Sequence, residues 1–183
     1  KPHSVKKIKL RDGTMIDTAP KPEVVMKDST AFMVTDMLKS VLISPGTGTR
    51  AKVPGLPIAG KTGTTNYTDQ EMAEWNINSS SVPDAWFTGY TTNYTASIWT
   101  GYESRKNPIT AEGSNQRIAQ LLFKNLMAYV SKDIDTPDFK MPNSVQKVRI
   151  EKGTMPPVLA SQYTPSSQVS IEYAVKGHAP KRV

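Results

Sequence analysis

The residues of this sequence that are best suited to chemistry lie in one short run, Gly60-Lys61-Thr62-Gly63-Thr64. In an extended strand, Lys61 and Gly63 would lie on one face, and Thr62 and Thr64 on the other. The glycine would let another backbone approach closely, and the lysine supplies a cation two residues away. We therefore predict a strand from Ile58 to Thr65 that could bind a peptide along its edge and hold its carboxylate through the lysine and threonine groups.

A competing pattern overlaps this run. Residues 55–62 formally match the phosphate-loop pattern of nucleotide-binding proteins. Such a loop needs a hydrophobic strand before its first glycine and a helix that begins at the lysine. Residues 50–54 form a poor strand, and Gly63 with its neighbouring threonines disfavours a helix after Lys61. The nucleotide-binding interpretation is therefore the weaker alternative.

Other catalytic residue types are scarce. The chain has no cysteine, and its two histidines, His3 and His178, lie near opposite ends. No Ser-His-Asp relay and no metal site is predicted from them. Any acyl chemistry would need a base other than histidine.

The elements that must position this run alternate between helix and strand. A peripheral hairpin is expected over 1–18, with a turn at Asp12-Gly13 and with Pro20 and Pro22 closing it. Asp28 or Ser29 can cap a helix through about Leu42. The core face expected for that helix comprises Ala31, Val34, Met37, Leu38, Val41 and Leu42.

Beyond the lysine run, residues 65–83 are polar and irregular, with Trp75 as their one large anchor. Strands are predicted over 85–90 and 94–101, and Ser114 or Asn115 can cap a further helix. One face of that helix carries Ile118, Leu121, Leu122, Leu126 and Tyr129. The order of elements predicts an α+β fold in which helices cover an antiparallel β-sheet.

Residues 1–130 are predicted to form this main unit. From about Ser131 the chain is punctuated by prolines. We expect a linker over 131–144 and a small β-rich C-terminal appendage over 145–183, with strands near 145–150 and 169–175.

Composition excludes several classes of protein. The 183 residues carry 23 Lys and Arg and 16 Asp and Glu, a net charge of +7. Residues 61–130 hold 5 basic and 6 acidic side chains, so the positive charge lies toward the two ends. No nucleic-acid partner is expected, because a phosphate-binding surface concentrates its cations on one element. No apolar stretch approaches the roughly 20 residues of a membrane-spanning helix.

Five sequence blocks in order resemble one family: residues 35–38, 46–51, 60–67, 84–90 and 98–102. The stretch from about 30 to 130 is similar to the C-terminal half of the transpeptidase domain of a Gram-positive class A penicillin-binding protein. The resemblance implies part of the fold shared by penicillin-binding proteins and serine β-lactamases. It also implies a bifunctional enzyme with a membrane anchor and a glycosyltransferase domain ahead of this part.

The resemblance assigns roles to four residues. Lys61, as a catalytic residue, would hold a neighbouring serine and lysine in their working protonation states. The hydroxyls of Thr62 and Thr64 would bind the carboxylate of the substrate or β-lactam, and Gly63 would allow the close approach. The backbone N–H of Thr64 would form half of the oxyanion hole. Neither a metal nor a cofactor is expected for transpeptidation.

Two motifs of this family have no convincing counterpart in the sequence. No Ser-x-Asn occurs in these 183 residues, and the two Ser-x-x-Lys matches, at 4–7 and 144–147, are expected to be chance. We therefore expect an associated polypeptide that carries both motifs, this chain being a C-terminal fragment. The implied function is D,D-transpeptidation of peptidoglycan stem peptides, with penicillin binding, at the extracytoplasmic face of the membrane or cell wall. A non-catalytic wall-binding module of the same fold is the alternative.

Overall fold

The structure, a computed structural model, describes residues 4–19, 21, 23–113 and 115–181. The expected roles of His3, Pro20, Pro22 and Ser114 lie outside these residues. In chain order the strands and helices are β1 (Lys7–Lys9), β2 (Met15–Asp17), α1 (Asp28–Ser40), β3 (Ala59–Thr64), α2 (Asp69–Trp75), β4 (Asp84–Tyr90), β5 (Thr95–Gly101), α3 (Ile118–Val130), β6 (Val145–Glu151) and β7 (Val169–Val175).

The main sheet is antiparallel and has the order β3-β4-β5, so β3 lies at an edge among the described strands. Its register places Thr62 opposite Phe87 and Lys61 opposite Thr88. Helix α3 packs on one face, where Phe87 and Phe123 meet edge to face with ring centroids 4.7 Å apart. Both rings are fully buried. The predicted α+β class, with helices covering an antiparallel sheet, is confirmed.

Helix α3 buries a different face from the apolar one seen in the sequence. Its buried residues are Ala119, Gln120, Phe123 and Met127, whereas Ile118, Leu122, Leu126 and Tyr129 are exposed. The core cluster that this face joins includes Phe87 of β4 and Leu42, and Ala96 and Ile98 of β5 pack against it. The larger aliphatic stripe lies away from this sheet.

The core face predicted for α1 is also wrong in part. Val34 and Met37 are exposed, and the buried residues of the helix are Ser29 and Thr35. The cause is a polar contact, because the Thr35 hydroxyl lies 2.9 Å from the Tyr90 hydroxyl at the end of β4. A hydrogen bond lets a helix bury a threonine that would otherwise be costly to desolvate.

Residues 65–83, predicted to be irregular, contain helix α2. A capping box starts it, in which Thr68 accepts from the Glu71 N–H and Glu71 accepts from the Thr68 N–H. A helix of seven residues is marginal by itself. The sequence carries this start signal at Thr68 and Glu71, so the element could have been predicted from it.

The N-terminal strands β1 and β2 form an exposed antiparallel hairpin. At the other end of the chain, β6 and β7 form a separate two-stranded antiparallel sheet. Residues 131–144 contact the main unit at several points, including a salt bridge of 2.7 Å between Lys39 and Asp138. Phe32 of α1 packs edge to face against Tyr173 of β7, at 5.0 Å between centroids.

Candidate functional site

Lys61, Thr62, Gly63 and Thr64 all lie in β3, so the strand predicted over 58–65 is observed over Ala59–Thr64. Only β4 pairs with it among the described residues. Lys61 and Thr64 are exposed, and Thr62 and Gly63 are half-buried. Because Lys61 sits inside a strand, no helix begins at it, and the phosphate-loop alternative lacks the geometry that it requires.

The Lys61 ammonium lies beside Thr62. Its Nζ donates to the Thr62 carbonyl at 3.2 Å and to the Thr62 hydroxyl at 3.1 Å. The Thr62 hydroxyl is also 3.0 Å from the hydroxyl of Thr47, in the turn before β3. A cation and two hydroxyls therefore meet at one place on the edge strand and could donate hydrogen bonds to a carboxylate.

The backbone at Thr64 points away from β4. The next residue, Thr65, turns its N–H toward the β4 side, where it contacts the Asp84 carboxylate at 3.4 Å. Successive N–H groups of a strand point in opposite directions. The Thr64 N–H is therefore directed at the free edge, on the same side as the Thr62 carbonyl that meets Lys61.

Close packing behind the strand sets its position. A methyl group on Gly60 would lie 2.7 Å from Phe87 Cζ and 2.9 Å from the backbone oxygen of Thr88. One on Gly89, opposite Gly60 in the register, would lie 2.7 Å from Phe123 Cζ. A methyl group at either position would force the neighbouring atoms to shift, because these contacts are shorter than real packing allows. A methyl group on Gly63 would lie 3.3 Å from its nearest neighbour, Trp86 Cβ, which is a tight contact but a milder clash than at Gly60 or Gly89.

Helix α2 follows the end of β3 and is tied to the segment after β5. The Arg105 guanidinium makes a bidentate ion pair with Glu71, at 3.0 and 3.1 Å, and lies over the Tyr67 ring. The Tyr67 hydroxyl donates to the Arg105 carbonyl at 2.6 Å. Burial raises the pKa of Tyr67, so its hydroxyl keeps its proton at neutral pH. The hydrogen bond from the Thr68 N–H, together with Arg105, lowers the pKa of Glu71.

Neither Ser-x-x-Lys match has the surroundings of a nucleophile. Ser4 is exposed at a bend before β1, and Lys7 lies in that strand. The Ser144 hydroxyl donates to the Asp28 carboxylate at 2.7 Å, and Lys147 lies in β6. Neither serine is on a helix.

Comparison with known proteins agrees with this architecture. The family described as "Penicillin binding protein transpeptidase domain" matches residues 1–128. The match covers more than half of the chain and includes the whole antiparallel sheet with its edge strand bearing Lys-Thr-Gly. The chain therefore belongs to this family. Residues 141–183 match a second description, "Penicillin-binding protein 1A, C-terminal domain".

The similar proteins narrow the assignment to the Gram-positive class A group. The chain is 46% identical, over its whole length, to "Penicillin-binding protein 1A/1B" of Bacillus subtilis. It is 38% identical over 80% of its length to "Penicillin-binding protein 1A" of Streptococcus pneumoniae. In both cases it spans only 20% of the relative.

A solved structure supports the fold alone. The crystal structure of penicillin-binding protein 1A from Haemophilus influenzae superposes with a TM-score of 0.65 at 22% identity. The match covers 87% of this chain and 22% of the other. No helix in the described part of this chain is long and apolar enough to cross a membrane.

Proposed function

We propose that this chain supplies the Lys-Thr-Gly strand of a serine-type peptidoglycan D,D-transpeptidase. The observation that carries the proposal is the contact on the edge strand between the Lys61 ammonium and the Thr62 hydroxyl. The alternation of the strand directs the Thr64 N–H at the same free edge. Family membership and the relatives' names support the reaction class. The substrates would be stem peptides ending in D-alanyl-D-alanine, and β-lactams would acylate the enzyme as their mimics.

The proposed reaction is acyl transfer through a serine outside these 183 residues. The serine oxygen would bond to the carbonyl carbon of the penultimate D-alanine, and the terminal D-alanine would leave with its amine protonated. An amine of a second stem peptide would then displace the serine oxygen, which would regain its proton. Both steps pass through an oxyanion, which the Thr64 N–H would stabilise by about 3 kcal/mol.

Lys61 and the threonines would serve this reaction by electrostatics and position. The Lys61 charge would favour deprotonation of a nearby catalytic group and attract the terminal carboxylate. Thr62 and Thr64 would fix that carboxylate, which would orient the scissile carbonyl toward the Thr64 N–H. Gly63 would keep the strand open for a peptide laid along its edge.

The remaining residues of the enzyme would come from an associated segment bearing Ser-x-x-Lys and Ser-x-Asn. The whole protein would also carry a peptidoglycan glycosyltransferase and a membrane anchor, and would act outside the cytoplasmic membrane. The relatives, five times longer than the matched part, leave room for these units.

The test is covalent labelling by a fluorescent penicillin, followed by mass spectrometry. This chain alone should carry no adduct, whereas the chain combined with the Ser-x-x-Lys segment should acquire one on that segment's serine. Lys61→Ala should slow acylation strongly, and Lys52→Ala, which changes an exposed lysine outside the strand, should not. An adduct on the isolated chain would contradict the proposal. Binding of D-alanyl-D-alanine peptides without any adduct would instead support a non-catalytic wall-binding module.

A further inference from the structure

Residue 47 lies in the block 46–51 that resembles the family, but the resemblance assigns no role to the Thr47 hydroxyl, which contacts the candidate site. It lies 3.0 Å from the Thr62 hydroxyl, although the two residues are 15 apart in sequence. Thr47 is exposed, in the turn between α1 and β3.

The protons and lone pairs of these groups determine where the Thr62 hydroxyl can donate its own hydrogen bond. A threonine hydroxyl has one proton to donate and two lone pairs that accept. The Thr62 oxygen already accepts from Lys61 Nζ. If Thr47 donates to the second lone pair, the Thr62 proton has no partner within this group and is free for a ligand oxygen. Two donors on one hydroxyl oxygen also polarise its O–H and strengthen the bond that it makes in turn.

Gln120, a buried residue, holds Thr47 in position. This α3 side chain is only 6% exposed. Its Nε2 donates to the Thr47 carbonyl at 3.1 Å, and its Oε1 accepts from the Arg50 N–H at 3.2 Å. Both ends of the amide are thereby engaged by the turn over 47–50. A buried amide satisfied in this way fixes the turn, because moving it would leave polar groups unpaired.

The glycines that flank Thr47 restrict the turn further. A methyl group on Gly48 would lie 3.0 Å from both Phe87 Cε2 and Val41 Cγ1. The Gly46 N–H donates to the Ile43 carbonyl at 2.6 Å, and the Gly48 N–H donates to the Val41 carbonyl at 2.9 Å. The turn is thus packed against the same phenylalanine that backs β3, so the Thr47 hydroxyl has a defined place relative to Thr62.

We propose that Thr47 and Gln120 are positioning residues for carboxylate recognition. The Thr47 hydroxyl holds the Thr62 hydroxyl with its proton directed at the carboxylate of the substrate or β-lactam, and Gln120 holds Thr47 in place from α3. This inference rests on the proposed function. It adds to that function a connection from the buried face of α3 to the edge strand.

The experiment compares two ligands that differ only in the carboxylate. Acylation efficiency is measured for benzylpenicillin and for its uncharged methyl ester, using this chain combined with the Ser-x-x-Lys segment. Thr47→Val keeps the shape of the side chain and removes the hydroxyl. We expect it to lower acylation by benzylpenicillin about tenfold, the effect of one hydrogen bond to a charged group, and to leave the ester nearly unaffected.

Two further variants separate positioning from folding. Thr47→Ser retains the hydroxyl and should restore most of the acylation by benzylpenicillin. Gln120→Met removes both amide hydrogen bonds at similar volume, and it should again weaken benzylpenicillin more than the ester. Thermal unfolding of each variant identifies any loss of acylation that is caused by an unfolded fraction. Such a loss would lower acylation by both ligands alike.

Equal loss on both ligands in the folded Thr47→Val protein would overturn the proposal, as would no loss on either. Equal loss in folded Gln120→Met would overturn the role of Gln120. If the unsubstituted protein is not acylated by benzylpenicillin at all, the proposed function itself fails. That result differs from a failure of positioning, in which the unsubstituted protein reacts and the variants show no selectivity.

Discussion

Gly89 offers the sharpest test of how the core positions the edge strand. The Gly89→Ala substitution places a methyl group 2.7 Å from Phe123 Cζ, 2.9 Å from Phe87 Cε1 and 3.1 Å from the backbone oxygen of Ala59. Both rings are fully buried and cannot swing into solvent. The Ala59 oxygen belongs to β3 itself, so relief on that side would shift the strand that carries Lys61.

The expected magnitude follows from two opposing effects. Overpacking a buried site by one methyl group costs about 1–3 kcal/mol. Replacing glycine by alanine stabilises by about 0.4–1 kcal/mol, because the unfolded chain has less freedom to lose. Packing should prevail, with a net loss of about 1–2 kcal/mol, which lowers the unfolding midpoint by about 3–6 °C for a chain of this size.

Denaturant and thermal unfolding of this chain measure the effect, with Gly63→Ala as the matched control in the neighbouring strand. There the new methyl group would meet only Trp86, at 3.3 Å from Cβ and 3.9 Å from Cγ, and a backbone shift of a few tenths of an ångström would relieve the contact. Phe123→Leu removes the distal ring atoms, so Gly89→Ala should cost at least about 0.5 kcal/mol less in that background. Strictly additive losses, or a Gly89→Ala protein as stable as Gly63→Ala, would refute the packing argument.

Two further predictions concern the connections around the sheet. Burial raises the pKa of Asp138, but the hydrogen bonds from Lys39 and the Phe139 N–H, together with the Lys39 charge, outweigh burial and lower it. The stabilisation from this pair should therefore be fully present above about pH 4 and be lost as the pH falls through the lowered pKa. It should amount to less than about 1 kcal/mol, because the Asp138 side chain is 58% exposed. Thr68→Ala removes the side-chain cap of α2 and should destabilise that helix by about 1 kcal/mol, seen as faster amide hydrogen exchange over 69–75.

Matched variants decide both predictions. The stability difference between the unsubstituted chain and Asp138→Asn, followed by chemical denaturation across pH, should shrink in acid; a difference that does not change with pH would count against the Lys39 contact. Thr68→Ser keeps the capping oxygen and should leave exchange over 69–75 nearly unchanged. Equal exchange in Thr68→Ala and Thr68→Ser would mean that the residue 68 side chain does not stabilise the helix, which Glu71 would then hold through the residue 68 N–H and Arg105.

The sequence predicts local structure here better than it predicts which faces are buried. The strands on either side of residues 91–93 and the strand through Lys61 lie close to their predicted bounds. The sequence does not show which face of a helix is buried, because an apolar stripe such as that of Leu122 and Leu126 can lie away from the nearest sheet. Gln120 is buried instead, where its amide bonds the turn at Thr47, and no periodicity of hydrophobic residues signals such a contact.

The candidate site was only partly accessible to sequence reasoning for a related reason. Lys61, Thr62, Gly63 and Thr64 are contiguous, so a motif identifies them. Thr47 joins them through a tertiary contact across 15 residues, and Thr47 by itself is an unremarkable turn residue. Helix α2 is not predicted, because the polar composition of residues 65–83 outweighs the capping box at Thr68 and Glu71.

In the proposed enzyme the Lys61 strand serves a serine supplied by another segment. The most direct measurement is intact-protein mass spectrometry after benzylpenicillin treatment, on this chain alone and on this chain combined with the Ser-x-x-Lys segment. We expect the isolated chain to remain unmodified. In the combined protein we expect one penicilloyl group on the serine of that segment, formed far more slowly with Lys61→Ala. A penicilloyl group on any serine of these 183 residues, or acylation at the same rate with Lys61→Ala, would contradict the proposal.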